Sequence, residues 1–111
     1  MTRLDIAKLQ PIEAVAIYIE QDSVIVKTDM ESIGVGKTAM EAVENLKDAT
    51  PAVVYLDTAD YLLVGEGAGA AAQEILPLLR RSVRTGIYRG GDVKEEARFL
   101  DVHGNAAKPM N

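Results

Sequence analysis

Two segments near the start of the chain, 12–20 and 24–30, alternate with the two-residue period of a β-strand. In the first segment, one face carries Val15, Ile17 and Ile19, and the opposite face carries Ala14, Ala16 and Tyr18. Because both of its faces are largely apolar, we predict a strand in the interior of a sheet. The second segment places on its apolar side Val24, Val26 and Met30. Polar residues separate the two segments, so the pattern predicts an antiparallel hairpin.

A change to the helical period follows at a glycine-rich segment. We interpret this segment as a tight turn, built from Gly34, Gly36, Lys37 and Thr38. Thr38 and Glu41 have the spacing of a capping box, in which a threonine hydroxyl accepts the N–H of the glutamate and the carboxylate reaches back. The helix is therefore expected to begin at Thr38 and to end before Pro51. Its predicted buried stripe consists of Ala39, Ala42, Val43 and Leu46.

The second half of the chain contains two further apolar segments, 52–56 and 61–65, which predict either two strands or one interrupted strand. A second helix is expected from about Gly67. Pro77 predicts a kink or a new helical turn, since proline has no backbone N–H to donate. Residues 85–89 predict a short last strand. A short helix is then expected after the capping spacing of Asp92 and Glu95, with a stripe of Val93, Ala97 and Leu100.

These elements predict an α/β (α+β) fold in the order β-β-α-β-(β)-α-β, with a small mixed sheet covered on one face by two helices. The length of 111 residues fits one domain with one modest core. We assign the compact domain to residues 1–103. Residues 104–111 are expected to form a frayed tail.

Charge and composition narrow the classes of partner. The net charge of −5 argues against a nucleic-acid binder or a protein that binds anionic membranes. The chain has no cysteine, and it contains no run near the ~18 apolar residues that a membrane helix needs. We therefore expect a cytoplasmic protein with no membrane span and no nucleic-acid partner.

The tripeptide Gly36-Lys37-Thr38 matches the end of a phosphate-binding loop. Such a loop needs a glycine five residues before the Gly-Lys-Thr, where this chain has Glu31, and a carboxylate there would repel a nucleotide. We therefore predict that the segment is a structural turn that sets the direction of the following helix. Binding of a small ligand or nucleotide through Gly34, Gly36, Lys37 and Thr38 is the alternative, because a helix N-terminus attracts anions.

No other residues form a convincing catalytic or metal site. His103 is the only histidine, and it lies apart from any partner that would make it a base or a ligand. Asp57 and Asp60 fit a turn, where aspartate bonds to the backbone. We therefore nominate no catalytic residue, metal ligand or cofactor, and predict that the protein is not an enzyme.

Residues 75–91 contain no acid and hold the one basic cluster, which consists of Arg80, Arg81, Arg84 and Arg89. One interpretation is that the first three offset the carbonyl end of the second helix and remain solvated. The other is that the arginines bind carboxylates of a partner protein, such as the acidic first half of another copy, because guanidinium groups bind carboxylates in a bidentate way.

Across residues 12–90, several short motifs follow one another in a fixed order: Gly36-Lys37-Thr38, Glu41-Ala42, Asn45-Leu46, Tyr55-Leu56, Tyr61-Leu62-Leu63-Val64-Gly65-Glu66, and the helical segment 75–81. This order resembles the C-subunit lipoproteins of bacterial spore germinant receptors. The resemblance implies a non-catalytic scaffold or interaction role in a spore-forming bacterium. Because that family bears its lipid on a cysteine and this chain has none, its membrane localisation is not carried over.

The sequence thus predicts a non-enzymatic protein-interaction or assembly module related to sporulation or germination. We expect its partner to be another protein or a second copy of the chain. A homodimer is consistent with a small sheet, since exposed sheet edges pair readily with other strands.

Overall fold

The computed structural model describes residues 9–50 and 53–103. Its strands are β1 (Leu9–Pro11), β2 (Ala14–Glu20), β3 (Ser23–Thr28), β4 (Ile33–Gly36), β5 (Val53–Tyr55), β6 (Tyr61–Val64) and β7 (Arg84–Ile87). Its helices are α1 (Ala39–Ala49), α2 (Gly69–Ile75) and α3 (Val93–His103). Short 3-10 turns occupy Leu56–Thr58 and Leu76–Leu78. Pro51 and the predicted tail at 104–111 lie outside the described residues.

Five of the strands form a mixed sheet in the order β4-β3-β2-β6-β7. The predicted hairpin of β2 and β3 is antiparallel, and β4 continues it antiparallel to β3. On the other side of β2, the strands β6 and β7 are parallel to it. The prediction that the first hairpin strand is central is therefore confirmed.

The apolar segments 52–56 and 61–65 prove to be two strands rather than one interrupted strand. β5 pairs in parallel with β1 in a separate two-stranded ladder, whereas β6 joins the main sheet. The 3-10 turn at Leu56–Thr58 divides them. Thr58 fastens this turn to the start of β2, because its hydroxyl accepts the N–H of Ile12 at 3.0 Å and donates to the carbonyl of Ile12 at 2.8 Å.

Helices cover both faces of the main sheet. The first face packs against α1 and α2, and its fully buried large side chains include Val15, Ile17, Val26, Leu46, Leu62 and Ile75. Each such side chain contributes about 1.5–3 kcal/mol by leaving water. The mixed sheet with two helices on one face is therefore confirmed. The structure adds α3 on the opposite face, where the predicted stripe of Val93, Ala97 and Leu100 packs against Ala14, Ala16 and Leu63.

Pro77 ends the second helix in the way its chemistry predicts. α2 stops at Ile75, and a new 3-10 turn starts at Leu76 with Pro77 in its first turn, where a missing N–H does no harm. Within the part of the chain that the structure describes, no helix combines the length and the apolarity needed to cross a bilayer.

Candidate functional site

The segment predicted as a glycine-rich turn is in its first part a strand, so that interpretation is wrong: Ile33–Gly36 form β4. The segment is a strand because its residues alternate between two faces, and Gly34 and Gly36 share the face that packs against α1. A Cβ added to Gly34 would lie 2.6 Å from the Cβ of Leu46, and one added to Gly36 would lie 2.6 Å from the N of Ala42. Glycine is therefore used here for the close approach of strand and helix.

The predicted capping box at the start of α1 is present. Thr38 is the N-cap, and its hydroxyl accepts the N–H of Glu41 at 3.1 Å. The carboxylate of Glu41 reaches one residue further back than the standard box and accepts the N–H of Lys37 at 2.5 Å. Two N–H groups at the mouth of the proposed phosphate cradle are thus bonded to side chains of the chain itself. Ligand binding at Gly34, Gly36, Lys37 and Thr38 remains a prediction.

The outer edge of β4 is partly closed by α1. The N–H of Thr28 donates to the carbonyl of Ser32 at 3.0 Å. The backbone N–H and C=O groups of the even-numbered residues of β4 therefore point toward β3, and those of the odd-numbered residues point outward. Asn45 of α1 donates to the outward carbonyl of Val35 at 2.7 Å. The side chains of Ile33 and Val35 are 47% and 45% exposed. This edge therefore combines an apolar surface with a protected backbone.

The opposite edge of the sheet is β7. The backbone N–H groups of Arg84 and Tyr88 donate to the carbonyls of Asp60 and Val64 at 2.9 Å each. The backbone N–H and C=O groups of the odd-numbered residues between them therefore point outward. Glu96 of α3 closes the end of this edge, since its carboxylate accepts the N–H of Arg89 and of Gly91, both at 2.7 Å. The outward backbone of Ile87 has no hydrogen-bond partner among the described residues.

A cleft of about 290 Å³ lies at the carboxyl end of β7, beside α3. Its apolar lining residues are Ile87 and Phe99, which are 41% and 46% exposed. Its charged lining comes from Arg89, Asp92, Glu95 and Glu96. Exposed apolar residues rimmed by charges, next to the outward-facing backbone of Ile87, are the features of a surface that receives an extended segment. We call this surface the β7 cleft.

The four predicted interaction arginines are not gathered into one patch. Arg80 pairs with Asp60 at 3.1 Å and donates to the carbonyl of Asp57 at 3.2 Å. Arg84 lies over the ring of Tyr61, 5.5 Å from its centroid. Arg89 belongs to the β7 cleft at the other end of the strand.

The interpretation in which arginines offset the end of the second helix is wrong. α2 ends at Ile75, its continuing 3-10 turn ends at Leu78, and neither has a basic residue in its last turn. Arg80 and Arg81 follow in a loop, and Arg84 opens β7. The apolar pattern extended past the real end of the helix because Leu79 is buried from an extended conformation.

A polar groove of about 360 Å³ lies at the amino ends of the parallel strands, beside α3. Its charged lining comes from Glu13, Asp29, Asp60, Lys94 and Arg98. The carboxylate of Asp29 makes structural hydrogen bonds, because one of its oxygens accepts the N–H of Glu13 at 3.0 Å and the N–H of Ala14 at 3.2 Å. Charges of both signs at a solvated rim give no preference for a ligand of either sign.

Two tyrosines connect the sheet to the loop before α3. The rings of Tyr18 and Tyr88 lie 5.2 Å apart, and the Tyr88 hydroxyl donates to the carbonyl of Gly91. Burial raises the pKa of Tyr88 above its ordinary value, and Glu96 and Asp92 add to the rise. Burial also raises the pKa of Tyr18, although the nearby ammonium of Lys27 opposes it. Both tyrosines are therefore neutral structural groups at physiological pH.

Among the described residues, no group of three histidine, cysteine, aspartate or glutamate side chains is arranged to hold a metal ion. The side chain of His103 lies outside the part that the structure describes. Comparison of the chain with protein-family models, with curated proteins and with solved structures finds no match.

Sequence reasoning missed the residues that make the sheet edges distinctive: Ile33, Val35, Ile87 and Phe99. A signal existed for three of them. Ile33 and Val35 alternate with Gly34 and Gly36, which is a strand pattern. Phe99 is the only phenylalanine and lies off the buried stripe of its helix. A large aromatic side chain outside the buried stripe is a marker of a contact surface.

Proposed function

We propose that the protein is a non-enzymatic interaction and assembly module that binds other proteins through the edges of its sheet. One observation carries the proposal: large apolar side chains are exposed at both edge strands, as Ile33 and Val35 on β4 and as Ile87 on β7 beside Phe99. Edge strands with exposed apolar side chains are favoured sites of strand addition. The buried core does not use these side chains, so binding a partner requires no unfolding.

Of the two edges, the β7 cleft supports the proposal better. It offers a concave apolar surface, an outward-facing backbone at Ile87 and charges that orient a partner. At β4, in contrast, Asn45 occupies the outward carbonyl of Val35 within the strand. A glutamate bonds to N–H groups just beyond each strand, Glu41 at β4 and Glu96 at β7.

The proposal includes a role in sporulation or germination. This part rests on the resemblance of the motifs between Gly36 and Arg81 to the germinant-receptor C subunits. It predicts that the protein accumulates when the native cells enter sporulation. An equal amount of protein in growing and sporulating cells would count against it.

Site-specific photo-crosslinking in the native cells tests the interaction function. A photoreactive amino acid is placed at Ile87, at Val35 or, as a control, at the exposed Glu74 on α2. We expect discrete cross-linked proteins from position 87, fewer from position 35 and only background from position 74. Equal labelling from all three positions, or none above background, would contradict an edge-based interaction function.

A further inference from the structure

We propose that the β7 cleft is a self-association surface: two copies of the chain pair their β7 strands in antiparallel directions about a two-fold axis at Ile87. The two five-stranded sheets then form one continuous sheet. This inference rests on the proposed interaction function and names its partner as a second copy.

The backbone geometry selects β7 over β4. The backbone groups of Gly86 and Tyr88 point toward β6. The N–H and C=O of Ile87, between them, therefore point outward, toward an incoming strand. In an antiparallel pair centred on Ile87, each copy donates one N–H and accepts one. The corresponding position on β4 is Val35, whose carbonyl already accepts from Asn45 at 2.7 Å. A second copy at β4 would first have to displace that side chain, whereas at β7 the carboxylate of Glu96 bonds to N–H groups beyond the end of the strand, at Arg89 and Gly91.

The charges at the two ends of β7 complement each other. Arg81 and Arg84 lie at the amino end of the strand, where the neighbouring Asp60 is paired with Arg80. Beyond its carboxyl end, the β7 cleft is lined by three acids and one base: Asp92, Glu95, Glu96 and Arg89. Antiparallel pairing brings the basic end of one copy beside the acidic end of the other, twice. Such an arrangement favours a second copy over a partner with a single sign of charge.

The apolar surface gives the pairing its attraction but limits its strength. Ile87 is 41% exposed and Phe99 is 46% exposed, so pairing removes further apolar surface from water. A four-residue edge strand and one helix wall make a small interface. Small interfaces are typical of weak complexes, so we expect a dissociation constant in the micromolar range.

Sedimentation velocity over about 5–500 μM, a range chosen to bracket such an affinity, tests the inference with a matched pair of variants. Ile87→Lys puts two ammonium groups on the two-fold axis, and we expect it to weaken dimerisation by about 100-fold or more. Ile33→Lys makes the same change at a 47% exposed position of the other edge strand. It should leave the dimer unchanged within about threefold. Circular dichroism checks that both variants fold.

Two further sets of variants give readouts independent of folding stability. The chain has no native cysteine, so Ile87→Cys carries a single thiol. Across the two-fold axis the paired Cα atoms would be about 5.5 Å apart, which suits a disulfide, and we expect rapid formation of a linked dimer. Ile33→Cys should link only slowly. Arg81→Glu and Glu95→Arg should each weaken the dimer, and the double variant should restore it.

Three results would overturn the inference: a wild-type chain that stays monomeric to 500 μM, loss of the dimer in Ile33→Lys instead of Ile87→Lys, or preferential linking at position 33. A monomeric wild-type chain that still cross-links to other proteins from position 87 would remove the dimer and leave the interaction function. Loss of both signals would remove the two together.

Discussion

The junction between β4 and α1 and the junction between β7 and α3 each lead from an edge strand into a helix through a capping residue. Thr38 caps α1 and Asp92 caps α3, and each accepts the N–H of the glutamate three residues later, at 3.1 Å and 3.0 Å. A glutamate also reaches back in both. Glu41 accepts from Lys37, and Glu96 accepts from Arg89 and Gly91.

The two junctions differ in how closely the helix approaches its strand. α1 lies against β4 so tightly that Gly34 and Gly36 have no room for a Cβ. α3 crosses the opposite face and leaves the β7 cleft of about 290 Å³ beside its strand. The same local chemistry therefore makes a closed junction on one edge and an open surface on the other. The distance between the helix and its strand, rather than the capping motif, distinguishes the two junctions.

The largest expected effect is on the closed junction. In Gly34→Ala, the new Cβ meets the backbone of Leu46, and neither the strand nor the helix can move without disturbing the core. We expect a loss of about 3 kcal/mol in the free energy of unfolding. The measurement is chemical denaturation followed by circular dichroism.

The matched control is Gly91→Ala at the open junction. Its new Cβ would lie 2.9 Å from the Glu96 carboxylate, the end of a flexible side chain that can shift. The expected loss is below about 1 kcal/mol. Equal losses for Gly34→Ala and Gly91→Ala would show that the two junctions are packed alike.

A smaller difference is expected between the two back-reaching glutamates. Glu96 accepts two backbone N–H groups and is partly buried, whereas Glu41 accepts one and is exposed. Glu96→Ala should lower the free energy of unfolding by about 1–2 kcal/mol and Glu41→Ala by about 0.5–1 kcal/mol. Urea denaturation measures both. The reverse order would mean that Glu41 contributes more than its single hydrogen bond.

The tyrosine pair predicts a modest loss of stability at alkaline pH. Because burial raises the folded-state pKa of Tyr18 and Tyr88 above 10.0, the unfolded chain releases these protons first as the pH rises. Their contribution is complete below pH 10 and is lost as the pH rises through the folded-state pKa. We expect the midpoint of thermal unfolding to fall less between pH 9.5 and 11 in Tyr18→Phe than in the wild type. An identical fall in both would contradict the burial of this ring.

No effect at all is expected from nucleotides. Because Glu41 occupies the N–H of Lys37 and Thr38 occupies that of Glu41, isothermal titration with ATP and magnesium should give no saturable heat at millimolar nucleotide. Lys37→Ala should behave like the wild type. Saturable binding that Lys37→Ala abolishes would restore the phosphate-loop alternative.

Much of the fold could be predicted from periodicity. The two-faced pattern around Val15 and Ile17 placed β2 at the centre of the sheet, and the spacing of Thr38 and Glu41 located the start of α1. These predictions succeed because they depend on neighbours in sequence, where the period fixes which side chains share a face.

The missed features depend on contacts between distant residues. Glycines at 34 and 36 have the composition of a turn, and only the packing of Leu46 against Gly34 and of Ala42 against Gly36 shows why a strand tolerates them. The arginines at 80 and 81 have the spacing of a helix end, but Pro77 diverts the chain before they are reached. The β7 cleft brings Ile87 and Phe99 together from different elements, so no local pattern predicts it.

The most direct test of the open β7 edge and the closed β4 edge is a set of amide NMR spectra recorded across a concentration series. We expect shifts or broadening at Ile87, Arg89 and the start of α3 as concentration rises. The amides of β4 should stay unchanged because α1 protects that edge. Changes centred on β4, or spectra that do not depend on concentration, would contradict pairing of two copies at the β7 edge.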